Sequence, residues 1–263
     1  MLIQVLSMVL TQFSVGSLLL VSLLPTREIR VGFFTLNSLL CAVASALALV
    51  LTKFGLGTAW WDVRFFGLTV IGATVAYGCF KLDRLDAGRV CLVVSGLVGL
   101  LFGLLPLAGK ILAARGLETK TPILFEGTVL AGALLLGATN VGMILGHWYL
   151  LMRRLSFEYL ERFAKLLLVA VGIRGLLILL VVLSMKNFDP RLAGTFIPEL
   201  MAVDGQLFFF ALRLLFGVIG PLILGFMILR CVQEKANQAA TGLLYVAEIS
   251  VLFGEILAAV LLI

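Results

Sequence analysis

Residues 122–149 read PILFEGTVLAGALLLGATNVGMILGHWY, an apolar stretch long enough to cross a membrane as one helix. Polar groups interrupt it at Glu126, Asn140 and His147, which is the only histidine in the chain. Residues seven apart lie close to one face of a helix, so these residues and Ala133 form a single stripe. Polar groups within a bilayer usually face a protein interior or a water-filled path. We therefore expect the other helices to pack around this one.

The composition of the whole chain is that of a polytopic membrane protein. Of its 263 residues, 62% are hydrophobic and 13% are charged, whereas a soluble domain is about half apolar and about a quarter charged. We expect an all-α bundle of eight transmembrane helices that forms one domain, with no soluble domain. The predicted helices are 2–25, 31–52, 64–80, 89–113, 122–151, 160–184, 204–229 and 238–263. The longest connection, 185–203, has room for a short interfacial helix.

Basic residues in the loops predict the orientation of the chain. Loops after odd-numbered helices, together with the helix ends beside them, contain eleven Lys and Arg residues, and those after even-numbered helices contain seven. Because cytoplasmic loops are enriched in these residues, we expect both termini outside, in a bacterial cytoplasmic (inner) membrane. The basic residues at helix ends also explain the net charge of +6, so no nucleic-acid partner is implied. The first helix lacks the basic start and cleavage site of a signal peptide, and we expect it to be retained.

The polar stripe on the fifth helix is the first candidate site. A histidine can exchange protons near neutral pH, so His147 could pass protons or donate a hydrogen bond to a quinone carbonyl. Asn140 can donate through its amide, and Trp148 and Tyr149 would flank a quinone at the membrane surface. The alternative is that Asn140 joins two helices and that His147 is an ordinary interfacial side chain.

Charged side chains within other predicted helices form the second candidate site. Arg174 and Arg213 interrupt the sixth and seventh helices, and Glu248 and Glu255 lie seven residues apart on the eighth. Charges in a bilayer need partners, so we expect depth-matched ion pairs of Arg174 with Glu248 and of Arg213 with Glu255. A proton relay that also includes Glu126 is the functional alternative to these structural pairs.

The sequence also limits the cofactors that the chain can hold. A single histidine excludes a bis-histidine haem within the chain. The four cysteines contain no CxxC pair, so we expect no iron–sulfur cluster and no other metal site. The motifs of zinc proteases, serine hydrolases and phosphate loops do not occur. Whether the chain takes part in an enzyme is left open, and it would at most be the quinone-site subunit of an oxidoreductase complex.

In its short loops and its buried Glu, Arg, Asn and His, the chain resembles the NrfD/DmsC-like quinone-interacting membrane anchor subunits. The residues GEILA at 254–258 are similar to the GELLG-like ending of some of those anchors. The segments PTREIRVGFFTLN and GHWYLL also look like uncharacterised bacterial polytopic membrane proteins. The resemblance implies an electron-transport function, as an integral membrane subunit of a respiratory complex that binds quinone or relays protons, with redox centres on partner subunits. A small-molecule or ion transporter and a structural membrane anchor are the alternatives.

Overall fold

The computed structural model describes residues 2–56, 60–114, 122–152, 156–188 and 206–262. These ranges are helical apart from short turns and contain no strand, which confirms the all-α prediction. The helices are α1 (Leu2–Val21), α2 (Val31–Leu56), α3 (Trp60–Lys81), α4 (Leu85–Val98, a π-helical turn at Gly99–Leu104, then Leu105–Ala114), α5 (Pro122–Leu151), α6 (Glu158–Phe188), α7 (Gln206–Leu214, a π-helical turn at Leu215–Ile219, then Gly220–Gln233) and α8 (Asn237–Leu262). Residues 185–188 continue α6, and the rest of the predicted loop 185–203 lies outside the described residues.

Seven of these helices are long and apolar enough to cross a membrane, which suggests a multi-pass membrane protein. The described apolar part of α3, Phe66–Lys81, is shorter than the other seven. Large apolar side chains are exposed on the outer faces of the bundle, among them Leu47 on α2, Leu179 on α6 and Phe226 on α7. An apolar outer surface of this kind is compatible with a lipid environment.

The centre of the bundle is formed by α5 and α1. In α5, 83% of the membrane-length window is buried inside the protein, against 61% in α1 and at most 44% in the other spans. The stretch quoted first is therefore the most buried of the membrane-length spans among the described residues. Helix α1 contacts α2, α4, α5 and α8, whereas α5 contacts α1, α6 and α8 most extensively.

Helices α1 and α5 cross so closely that no side chain fits between them. A Cβ atom on Gly16 would overlap the backbone carbonyl of Ala133, and a Cβ atom on Gly137 would overlap the backbone of Gly16. One turn further along, Asn140 Nδ2 donates to Ser17 Oγ over 2.9 Å. Small residues let helix backbones approach and pack by van der Waals contact. The face of α5 that contains Ala133 and Asn140 is therefore its contact with α1.

The crossing predicts a measurable effect of one methyl group. Gly16→Ala should lower the free energy of unfolding by about 1–3 kcal/mol, because the added methyl pushes α1 away from α5. Thermal unfolding of the purified protein in detergent measures the change.

Gly172→Ala in α6 is the matched control, because a Cβ atom at that position meets no atom within 4 Å. Alanine favours the helix, so the Tm of this control should stay the same or rise slightly. A Gly16→Ala variant as stable as Gly172→Ala would contradict the close crossing.

Candidate functional site

Three polar residues of α8 face three small residues of α5 in antiparallel order, and both sets are spaced by seven residues. The facing pairs are Thr241 with Gly146, Glu248 with Thr139, and Glu255 with Gly132. We call these six residues the polar seam. Residues seven apart keep to one helix face, and at 1.5 Å per residue each pair lies about 10 Å from the next. The seam therefore follows the α5–α8 contact through much of the bundle.

At Gly132 the seam meets polar groups from two further helices. A Cβ atom on Gly132 would lie 2.5 Å from Glu255 Oε2, 2.6 Å from Gln12 Nε2 and 2.8 Å from Arg174 Nη1. Arg174 and Glu255 form an ion pair, and their residues are only 1% and 2% exposed. Gln12 Nε2 donates to the carbonyl oxygen of Val129 over 3.0 Å. Only glycine leaves room for α1, α6 and α8 to bring these groups together on α5.

Arg213 of α7 lies beside this ion pair. It is close enough to interact electrostatically with both Arg174 and Glu255. The three residues, together with Gln12 and Thr128, line a cavity of about 10 Å³, which is room for about one water molecule. The Nε atoms of Arg174 and Arg213 are buried without a hydrogen-bond partner. We call Gln12, Arg174, Arg213 and Glu255 the arginine cluster.

A π-helical turn at Leu215–Ile219 follows Arg213 and lets α7 pack closely on α8. Within the turn, Gly217 contacts Gly254 so tightly that a Cβ atom on Gly254 would lie 2.5 Å from the Cα of Gly217. Pro221 has no N–H to bond the carbonyl four residues earlier, which favours a wider turn at this point. Glu255 follows Gly254 on α8, so this contact places α7 next to Glu255.

The structure pairs Arg174 with Glu255 and not with Glu248, so the predicted pairing was wrong. Helices α6 and α8 begin at the same end of the bundle, because each is antiparallel to α7. At 1.5 Å per residue, Arg174 lies about 24 Å from the start of α6. On the same scale Glu255 lies about 27 Å and Glu248 about 16 Å from the start of α8. The predicted helix starts, 160 and 238, differ little from the actual starts, Glu158 and Asn237, and on either set Arg174 is nearer in depth to Glu255 than to Glu248.

The predicted stripe on α5 occupies three different environments. Glu126 is half-buried near the start of the helix, Asn140 is 2% exposed in the interior, and His147 is exposed near the end. The amide of Asn140 is bound to Ser17 of α1. His147 lies about 10 Å further along the helix than Asn140. The face that the stripe occupies is the one that packs on α1, next to the seam and not part of it.

Trp148 and Tyr149, predicted to flank a quinone, pack against other protein groups. The ring of Trp148 contacts Phe33 edge-on, with the ring centroids 5.9 Å apart. Tyr149 is 3% exposed, and its hydroxyl donates to the carbonyl oxygen of Ser156. Its ring also stacks on Phe157 at a centroid distance of 5.8 Å. These contacts fix the end of α5 and the approach to α6.

Reasoning from the sequence missed Gln12, Gly132 and Thr139. A signal for the last two was present, because small residues at 132, 139 and 146 repeat at the same interval as the polar residues of α8. No interval in the sequence connects Gln12 of α1 with a charge on α6 or α8. Its role became visible only when the helices were packed together.

Comparisons with known proteins do not assign the chain to a family. No protein-family model matches it, and neither a curated protein nor a solved structure is significantly similar to it. The resemblance to NrfD/DmsC-like membrane anchors therefore stays a prediction. The fold and the site define a class of protein, a helical bundle with a buried polar seam, in which seven helices of the described part of the chain reach membrane length.

The buried ion pair predicts strong coupling between Arg174 and Glu255. Either Arg174→Met or Glu255→Met should lower the free energy of unfolding by about 3–5 kcal/mol, because the other charge is left buried without its partner. The double variant should lose clearly less than the sum of the two, and a double-mutant cycle of unfolding in detergent measures the difference.

The exposed pair of Arg162 with Glu158, separated by 3.3 Å, is the matched control. The same cycle there should give a coupling energy of less than about 1 kcal/mol, because solvent screens the charges. Additive losses at Arg174 and Glu255 would contradict the buried pair.

Proposed function

We propose that the chain relays protons along the polar seam as the integral membrane subunit of a bioenergetic complex. In this proposal eight helices cross a bacterial inner membrane, both termini lie outside, and the redox centres belong to partner subunits. The observation that supports it is the seam itself, in which Thr241, Glu248 and Glu255 follow one another along the α5–α8 contact. Ionisable groups within membrane-length helices are typical of proton paths.

Glu248 and Glu255 are the proposed proton carriers. A carboxyl group can accept a proton on one side of its position and release it on the other. The two groups are about 10 Å apart along α8, so transfer between them requires hydroxyl groups or water molecules in the gap. Thr139 faces Glu248 across the α5–α8 contact, and Glu248 Oε2 is buried without a hydrogen-bond partner.

Arg174 and Gln12 position Glu255 in this proposal. The guanidinium group of Arg174 compensates the charge of the Glu255 carboxylate when the proton has left. Gln12 lies beside Glu255 at Gly132 and is held in place by its bond to the backbone of α5. The adjoining cavity has room for a water molecule through which Glu255 could exchange its proton.

The position of His147 favours quinone as the reaction partner. It is exposed near the end of α5 and follows Gly146, which faces Thr241 at that end of the seam. An imidazole can donate a hydrogen bond to a quinone carbonyl and also exchange a proton with it. A quinone reduced beside His147 would take up protons at one end of the seam. Asn140, bound to Ser17, would hold α1 against α5 beneath this site.

Proton movement is tested with the purified protein in vesicles that contain a pH-sensitive dye. A potassium diffusion potential should drive protons across faster than in vesicles without protein. Glu248→Gln and Glu255→Gln should each reduce this rate by about tenfold or more, because the amide cannot carry a proton. Glu158→Gln changes an exposed carboxylate and should leave the rate unchanged.

Proton rates equal to that of the unsubstituted protein in all three variants would contradict the relay and favour the structural anchor. Rates that depend on a co-transported solute would favour the transporter instead.

Quinone binding is tested in native membranes with the partner subunits present. His147→Ala should slow quinone reduction without lowering the amount of assembled complex, because the proposed donor to the quinone carbonyl is lost. Asn140→Leu should also slow quinone reduction, because it removes the hydrogen bond that holds α1 against α5. If both variants assemble normally and keep the full rate, quinone does not bind beside His147.

A further inference from the structure

The charges of the arginine cluster do not balance among the described residues. Arg174 and Arg213 bring two guanidinium groups to one carboxylate, that of Glu255. Glu248 lies about 10 Å further along α8 and faces Thr139. Guanidinium groups keep their charge, and an uncompensated charge in a buried apolar setting is costly. The cluster therefore favours a second negative charge close to the two arginines.

Unpaired hydrogen-bond donors belong to residues that line the cavity. The Nε atoms of Arg174 and Arg213 are buried and have no hydrogen-bond partner, and both side chains line the cavity. Gln12 donates to the carbonyl of Val129 and also lies within reach of the Glu255 carboxylate, so its amide is already engaged. Thr128 directs its hydroxyl at the carbonyl oxygen of Phe125, so it contributes shape but no donor. Guanidinium groups donate and cannot accept, so this cavity suits an acceptor and repels a cation.

The size and the remaining walls of the cavity limit which acceptor fits. Its volume of about 10 Å³ admits about one water-sized particle. Polyatomic anions such as sulfate, phosphate or a carboxylate metabolite would need the helices to move apart. Met8, Ala258 and Ala259 form an apolar side of the wall. A single-atom anion with weak hydration suits a cavity whose lining is partly charged and partly apolar.

We propose that this cavity binds a small monovalent anion, of which chloride is the representative, between the guanidinium groups of Arg174 and Arg213. The anion would supply the second negative charge and accept hydrogen bonds from the free Nε–H groups of both arginines. Glu255 already binds Arg174, so its carboxylate competes with the anion for the same guanidinium group. The site is assembled from α1, α5, α6, α7 and α8, and an occupant would tie these five helices together.

Thermal unfolding of the purified full chain in detergent is the experiment, with ionic strength held constant by gluconate. A ligand that binds only the folded protein raises its Tm in a saturable way. We expect chloride and bromide to raise the Tm to a plateau and gluconate, which is too large for the cavity, to leave it unchanged. No rise with chloride, or an equal rise with gluconate, would overturn the proposal.

Two substitutions test where the anion binds. Arg213→Met should raise the chloride concentration at half-effect by at least about tenfold, which corresponds to about 1.4 kcal/mol of binding free energy. Glu255→Gln should lower it, since the competing carboxylate is gone. Arg162→Met removes a cation from an exposed ion pair and should keep the wild-type concentration.

An unchanged half-effect concentration in Arg213→Met would overturn the proposal. If that variant does not fold, Glu255→Gln decides alone, and an unchanged or higher half-effect concentration there would overturn it. The measurement does not involve proton movement, so this inference and the proposed proton relay can fail independently.

Discussion

The ion pair between Arg174 and Glu255 constrains the packing of the four helices around it. Charges that are almost completely buried are tolerated only when they remain together. Gly132 must therefore stay free of a side chain, and Gln12 must lie beside it. Rotating α1, α5, α6 or α8 about its axis would separate these groups. The pair thus fixes both the rotation and the depth of each helix.

Helix α5 meets this constraint because it presents small residues on two adjacent faces. Gly137 and Ala133 allow the backbone of α1 to approach, and Gly132 leaves space for the charged groups of α6 and α8. Well-packed apolar side chains in place of a buried ion pair are often neutral or stabilising. Stability alone therefore does not require these charges, which is compatible with the proposed roles in proton transfer and anion binding.

Individual residues show what the periodicity of a single helix predicts about side-chain contacts and what it does not. The seven-residue spacing of Glu248 and Glu255 correctly placed both on one face of α8, because that periodicity is a property of the helix alone. Glu248 was wrongly assigned to Arg174, because the depth at which two helices meet is not a property of either helix alone. The α5 stripe through Asn140 was also periodic, yet it faces α1 and lies one residue away from the positions that face α8.

The sequence by itself determined an all-helical protein, the approximate position of each helix and the central place of α5. Runs of about 20 apolar residues have few alternatives, since a helix satisfies its own backbone hydrogen bonds where water is absent. Only the tertiary structure decided which polar groups meet. Gln12, Gly132, Arg174 and Glu255 lie on four different helices, and their meeting depends on helix rotation and depth. Those are set by close contacts such as Gly16 with Ala133 and Gly217 with Gly254, which hydrophobic periodicity does not encode.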